Sequence, residues 1–126
     1  MNKTRFVRAE DVKGYHPANH DGTTNYRLIS PETVGAGNME VLLGVIEKDR
    51  GAQRHRHPGI EQVCYVLEGT AIAEVGGERK EMGPGDCVFF PADTLHSFTA
   101  TGDRPVKVLV IYSPPYAESP ARVVKG

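Results

Sequence analysis

Short apolar runs separated by turn residues recur along the chain, and no segment keeps apolar residues at helical spacing over several turns. This pattern predicts β-strands at intervals typical of an all-β sandwich or barrel. The strands are expected at Phe6–Ala9, Tyr26–Ser30, Met39–Glu47, Gln62–Glu68, Thr70–Val75, Glu78–Met82, Cys87–Phe90, His96–Thr101 and Val106–Tyr112. Between two of them, Gly76-Gly77 predicts a two-residue hairpin.

The 126 residues amount to a single domain with an extension at each end. We expect an N-terminal arm with a short strand over residues 1–25 and a barrel over residues 26–113. A C-terminal arm follows over residues 114–126, where Pro114, Pro115 and Pro120 predict extended chain rather than a packed element.

Composition and charge exclude several classes of protein. With 15 Lys+Arg against 16 Asp+Glu the formal net charge is −1, so no basic patch for nucleic acid is expected. No apolar run approaches the roughly 20 residues of a membrane span. The first residues are polar and charged, and two cysteines do not suggest a disulfide-stapled secreted domain, so we expect a cytoplasmic protein.

Two closely spaced histidines are the first indication of a functional site. His55 and His57 are separated by one residue, so on an extended strand both imidazoles project from the same face. Neutral ring nitrogens suit Zn, Cu, Fe and Ni. An isolated His-x-His also fits two solvated imidazoles on a surface strand, and the surrounding residues have to decide between the two.

Those surrounding residues resemble the two sequence motifs of the cupin family. The first family motif places His-x-His between two glycines with an acidic residue after it, and the second places a histidine after a Pro-x-Gly. The positions that stand at the family spacing are His55, His57, Gly69, Gly85, Pro91 and His96. Asp49 and Asp93 stand where the family has glycine, and Ala100 replaces the final Asn of the second motif.

The fourth ligand is the position where the resemblance leaves a choice. Counting back from Gly69 by the family spacing reaches Gln62, whereas Glu61 fits only with a spacer one residue longer. The two side chains face opposite sides of a strand, so only one can point into a barrel. We favour Gln62, because the Gly69 turn fixes the register and some small cupins use Gln in this role. Glu61 stays the alternative.

The resemblance implies a fold, a cofactor and an assembly. The fold is an antiparallel double-stranded β-helix, the jelly-roll barrel of a small single-domain cupin. One divalent metal ion per chain, not distinguished among Fe, Mn, Ni, Zn and Cu, would be bound by His55, His57, Gln62 and His96. Small cupins of this kind pair as homodimers, with terminal arms that cross between subunits.

The neutral ligand set predicts the chemistry of the bound molecule. Three imidazoles and an amide leave the full +2 charge on the ion, which attracts anionic oxygen. We therefore expect a metal-dependent enzyme that acts on a small carboxylate, dicarbonyl or enediol as a dioxygenase, decarboxylase, lyase or isomerase. The alternative is a non-catalytic module that binds a small sugar or acid. The sequence identifies no catalytic acid or base.

The remaining candidates are assigned to packing or to the surface. Arg54 and Arg56 are expected to face away from the ligands. His16 and His20 lie either on the surface or over the mouth of the barrel, and the surface position is favoured. Packing roles are expected for Cys64, Phe89, Phe90 and Phe98. Core or rim packing is favoured for Tyr65 and Tyr112, and the alternative is that their hydroxyls contact a substrate.

Overall fold

The computed structural model describes residues 4–17 and 20–126, and these residues form nine β-strands with little helix. The strands are β1 His20–Ile29, β2 Glu40–Arg56, β3 Glu61–Glu68, β4 Thr70–Val75, β5 Glu78–Met82, β6 Cys87–Phe90, β7 His96–Thr101, β8 Val106–Ser113 and β9 Val124–Lys125. Single helical turns occupy Ala9–Asp11, Pro31–Val34 and Pro120–Arg122. No helix in the described ranges has the length and apolar character needed to cross a bilayer.

All strand pairs are antiparallel, and the strands follow the order β5-β4-β7-β2-β8-β3-β6 in one curled sheet. Both β1 and β9 pair with β2 outside this path. The sheet nearly closes on itself, which confirms the predicted all-β jelly-roll barrel. The two-residue hairpin at Gly76-Gly77 is also confirmed, since both glycines have positive φ and join β4 to β5.

Strand β2 joins the two halves of the barrel. Its first part, from Glu40 to Ile46, pairs with β8, and its second part, from Gly51 to His55, pairs with β7. The predicted strand ended at Glu47, so the structure extends it by nine residues. The extension escaped prediction because exposed charged residues follow Ile46 and interrupt the apolar alternation.

The inner faces of the strands supply a single apolar core. Burying one of its larger side chains contributes about 1.5–3 kcal/mol. The core includes Leu42, Ile46, Cys64, Val66, Phe90, Phe98, Val106 and Val108. Packing is thus confirmed for Cys64, Phe90 and Phe98, but the prediction is wrong for Phe89, which is 49% exposed because it lies on the outer face of β6.

The N-terminal segment differs from its predicted form. Phe6–Ala9 forms no strand in the structure: Phe6 is 88% exposed and has no strand beside it, so its backbone lacks a ladder partner. The first strand begins instead at His20, six residues before the predicted start at Tyr26.

The last thirteen residues, which we call the C-terminal strap (residues 114–126), pack against the barrel rather than extending from it. Pro115 and Tyr116 are buried, and Val124–Lys125 pairs with the end of β2. The expectation of an unpacked arm is therefore wrong. The prolines do prevent a long strand, but they leave the strap free to fold back as two short turns.

The two aspartates at family glycine positions adopt the backbone that glycine would have. Asp49 and Asp93 both have φ of 61°, in the left-handed region. Asp tolerates this region better than most residues. The replacements therefore preserve the turns that precede β7 and divide β2.

A substitution at Gly51 tests whether β2 and β7 must approach each other closely. Its φ is 147°, and a Cβ there would collide with the carbonyl oxygen of Phe98. We expect Gly51→Ala to lower the free energy of unfolding by at least about 2 kcal/mol, measured by denaturant titration. As the control, Gly37→Ala adds a Cβ in open space and should change stability by less than about 0.5 kcal/mol. Equal effects of the two substitutions would contradict this account of the strand crossing.

Candidate metal centre

Three histidine side chains converge inside the barrel. His55 in β2 is paired in register with His96, the first residue of β7, so the two side chains lie next to each other on one face of the sheet. His57 follows two residues later and returns to the same side. All three are at most 3% exposed, and one nitrogen from each lies within 4.8 Å of the others.

Hydrogen bonds to main-chain carbonyl oxygens settle which ring nitrogen of each histidine carries the proton. The bonds run from His55 Nδ1 to Gln53, from His96 Nδ1 to Thr94 at 3.0 Å, and from His57 Nδ1 to Arg122 at 2.8 Å. A carbonyl oxygen only accepts, so the proton is on Nδ1 in each ring. In the neutral rings every Nε2 is therefore an unprotonated acceptor, the form that binds a metal.

The acceptors face one another with no donor between them. Nε2 of His55 lies 3.1 Å from Nε2 of His57, and Nε2 of His96 is buried without a hydrogen-bond partner. Gln62 Oε1 is buried and unpartnered in the same way. Buried acceptors of this kind are costly unless a cation or a donor satisfies them. Metal–nitrogen bonds of about 2.1 Å separate adjacent ligand nitrogens by about 3.0–3.4 Å, so the His55–His57 pair has the separation that a divalent metal requires, and all three imidazoles are donors of the type it prefers.

Burial also keeps the histidines uncharged. Loss of hydration lowers the pKa of His57 to about 4 and that of His96 to about 3, and it lowers the pKa of His55 as well. At neutral pH the three rings are thus unprotonated at Nε2 and need not release a proton before they bind a cation.

The structure places Gln62, and not Glu61, beside the histidines. Gln62 is 9% exposed and pairs with Phe90 of β6 and Tyr112 of β8, both of which also point inward. Glu61 lies on the outer face and is exposed. The alternation along β3 therefore gives Gln62 the inward position, and its role as a metal ligand stays a prediction.

Aromatic rings hold the imidazoles in position. Phe90 stacks on His96 with ring centroids 4.2 Å apart and an interplanar angle of 20°. Tyr116 of the C-terminal strap lies 4.5 Å from His57, and Tyr112 lies 5.5 Å from it. These contacts restrict the rotation of two of the three rings.

The turn before β7 is tied to the His57 segment on the outside of the barrel. Asp93 donates its backbone N–H to the carbonyl oxygen of His57 at 3.1 Å. Its carboxylate accepts a hydrogen bond of 2.9 Å from Arg56, whose side chain points away from the histidines as predicted. Arg54, also predicted to face outward, is exposed. Asp93 thereby links the two segments that carry His57 and His96.

A narrow cavity of about 30 Å³ lies beside the histidines, enough for an ion and a water molecule. Its lining, within the described residues, contains no carboxylate. The side chains that line it are His20, Thr23, Asn25, Ile46, Ala52, His55, Gln62, Cys64, Phe90, His96, Phe98, Val108, Val110 and Tyr112.

His20 is the site residue that sequence reasoning misplaced. It was expected on the surface, but it lines the cavity with its ring 6.1 Å from that of His55, and its buried Nδ1 has no hydrogen-bond partner among the residues that the structure describes. His16 is exposed, as expected. The inward residues that follow His20 on β1 are Thr23 and Asn25, which are polar, so this strand lacks the apolar alternation that would have shown which way His20 points.

The comparisons with known proteins agree with this geometry. The family model described as "Cupin domain" matches residues 42–112, and the chain therefore belongs to the cupin family. The polyketide synthase protein CurC of Streptomyces cyaneus is 30% identical over 90% of this chain and 73% of its own length. The crystal structure of the polyketide cyclase RemF from Streptomyces resistomycificus has a TM-score of 0.76 and 25% identity, covering 89% of this chain and 80% of that one.

An uncharacterized protein of Methanocaldococcus jannaschii aligns over 99% of this chain and all of its own length at 24% identity. Further relatives and structural neighbours are named as dioxygenases, a lyase and sugar phosphate isomerases. The family is thus established, while the names of its members span several reaction classes.

The choice between the two β3 residues can be tested by substitution. We expect Gln62→Ala to weaken zinc binding at least about tenfold, because it removes a buried oxygen of a side chain that lines the same cavity as the histidines. Glu61→Ala should leave zinc binding unchanged, since Glu61 lies on the outer face. Isothermal titration of the metal-free protein measures both. The opposite ranking would show that the amide does not contact the ion.

Proposed function

We propose that the protein is a metal-dependent cupin enzyme whose ion is held by His55, His57, His96 and Gln62. The convergence of three Nε2 acceptors, each in a tautomer fixed through Nδ1, carries this proposal. A bound divalent ion would supply a Lewis acid that polarises substrate oxygens and stabilises negative charge developing on them. Four protein ligands leave positions open on a six-coordinate ion for those oxygens.

Charge favours an anionic, oxygen-rich substrate. The four proposed ligands are neutral and the described lining of the cavity holds no carboxylate, so the ion would keep its full charge in a buried site of low dielectric constant. The small cavity volume favours a substrate that reaches the ion with a narrow end. A carboxylate, a dicarbonyl or an enediol has both properties.

Two further side chains are positioned to bind such a substrate. Burial raises the pKa of Tyr112 well above its usual value, so its hydroxyl stays a hydrogen-bond donor at neutral pH. His20 offers a ring nitrogen to the cavity from β1, the strand that pairs with β2. Both would orient substrate oxygens rather than bind the ion.

The relatives with polyketide names favour the dicarbonyl within this set. CurC and RemF align over most of this chain, and polyketide chains are rich in 1,3-dicarbonyl units that bind a metal through two oxygens. The reaction would be a dioxygenation, decarboxylation, elimination or isomerisation. Each of these can proceed through an enolate or a related anion, which a bound divalent ion would stabilise.

A non-catalytic binding module is the second candidate. The observation that favours it is the lining itself, which within the described residues has no carboxylate to serve as a general base. Such a module would bind a small sugar or acid without turnover, with the metal structural or absent.

Metal loading with a 1,3-diketone distinguishes the two candidates. We expect the protein to bind one divalent ion per chain. The visible spectrum of the Co²⁺-loaded protein should change when 2,4-pentanedione binds. Oxygen uptake or loss of substrate should follow with at least one of Fe²⁺, Mn²⁺, Ni²⁺ or Zn²⁺. His96→Ala is the control and should lose most metal affinity while the barrel stays folded. Binding without turnover across carboxylates, dicarbonyls and enediols would favour the binding module, and absence of metal binding would contradict the enzyme.

We also propose that the chain forms a homodimer through the outer face of four strands. On the outer face of β2, β8, β3 and β6, apolar side chains lie in register in two adjacent rows. The inner face of the same strands packs in the core, so these rows need a different partner. Strands covered on both faces have such continuous apolar runs. The first row is Leu43, Leu109, Tyr65 and Cys87, and the second is Val41, Ile111, Val63 and Phe89.

The dimensions of this outer face suit a second copy of the chain. Two rows across four strands cover roughly 300 Å², enough for the apolar centre of a standard interface of about 800 Å² per partner. Under two-fold symmetry the same rows meet each other, so one apolar face suffices.

A negative charge introduced on this outer face tests the dimer. We expect Tyr65→Glu to shift the protein from dimer to monomer in analytical ultracentrifugation, because it buries a carboxylate in an apolar interface. Val124→Glu alters another exposed apolar residue outside the two rows and should leave the dimer intact. A monomeric wild-type protein, or a Tyr65→Glu protein that remains dimeric, would contradict the proposal.

A further inference from the structure

The three histidines differ in where their Nδ1 acceptors come from. For His55 and His96 the acceptor is the carbonyl two residues earlier in the same chain segment, at Gln53 and Thr94. For His57 the acceptor is Arg122, 65 residues away in the C-terminal strap. Two rings are therefore oriented by their own strands, while the third depends on a distant segment.

Within the strap, two contacts bring the Arg122 carbonyl to His57. The ring of Tyr116 is 5% exposed and packs against both His57 and Tyr112. The guanidinium of Arg122 donates to the carbonyl oxygen of Pro115 at 2.6 Å, which closes the strap on itself. Together these contacts fix the distance between the buried tyrosine and the carbonyl.

A buried carboxylate fastens the middle of the strap to the barrel. Glu40, at the start of β2, is 1% exposed and accepts the backbone N–H of Ala117 at 3.1 Å. Its other oxygen accepts from Arg27 at 3.0 Å, so the carboxylate is paired. Tyr15 of the N-terminal segment donates to Glu118 at 3.3 Å.

The backbone of the strap is strained at this point. Ala117 and Glu118 have φ of 52° and 54°, two consecutive left-handed residues of types that disfavour that region. Such conformations are unfavourable and persist only where the surroundings impose them. The bonds from Glu40 and Tyr15 impose this one, and it turns the chain back toward His57.

We propose that the C-terminal strap is a positioning element of the metal centre: Tyr116 and Arg122 hold a main-chain carbonyl that fixes His57 in the metal-binding tautomer. Without it, His57 would be free to carry its proton on Nε2, the nitrogen that faces the other two rings. The barrel alone would then present two ordered imidazoles instead of three. The effect on metal affinity rests on the proposed function, whereas the effect on the tautomer does not.

The test is long-range ¹H–¹⁵N correlation NMR of the histidine rings in the full-length, metal-free protein. In the wild type all three rings should carry the proton on Nδ1. In the double variant Tyr116→Ala/Arg122→Ala, His57 should shift to a mixture of tautomers while His55 and His96 stay unchanged. Zinc affinity should fall about 10–100-fold, the usual effect of losing the partner of a ligating histidine.

Tyr116→Phe is the matched control, because it keeps the ring against His57, and it should preserve both the tautomer and the affinity. If the double variant does not fold, as judged by its far-UV circular dichroism, Arg122→Ala alone should give the same tautomer change at smaller amplitude. An unchanged His57 tautomer in the folded variants would overturn the positioning role. Failure of the wild type to bind zinc would contradict the proposed function but leave the tautomer result intact.

Discussion

The pairing of β2 with β7 is the constraint on which the site depends. It sets His55 directly opposite His96, and the ring of His57 then reaches the same interior two residues later. Gly51 allows the two strands to approach at the start of this pairing, and Asp93 ties the entry of β7 to the backbone of His57. A shift of one residue in this register would turn one imidazole out of the barrel.

The sequence predicted the strands from β3 to β8 closely, because a glycine or proline follows each of them and β3, β4, β7 and β8 alternate between buried and more exposed residues. It predicted β1 and β2 less well for a physical reason. The inward residues of β1 include Thr23 and Asn25, which line the cavity, and the middle of β2 is charged where the strand bends. Alternation fails where the inside of the barrel is polar.

The candidate ligands could be predicted from their spacing along the chain, but the residues that surround them in the folded protein could not. The His-x-His pair, the later histidine and the inward side of β3 follow from positions along the chain. The carbonyl of Arg122, the ring of Tyr116 and the nitrogen of His20 reach the site from segments distant in sequence, and no local pattern encodes that approach. Long-range contacts of this kind require the folded structure.

The left-handed aspartates have a consequence for the cost of ordering the chain. An unfolded glycine samples many more backbone conformations than an aspartate, so Asp49 and Asp93 lose less entropy when their turns form. The local strain of positive φ opposes this gain, and at Asp93 the bonds to Arg56 and His57 compensate for it. The turn within β2 and the loop before β7 are thereby stiffer in the denatured ensemble than glycine-containing turns would be, so less conformational entropy is lost when the barrel closes.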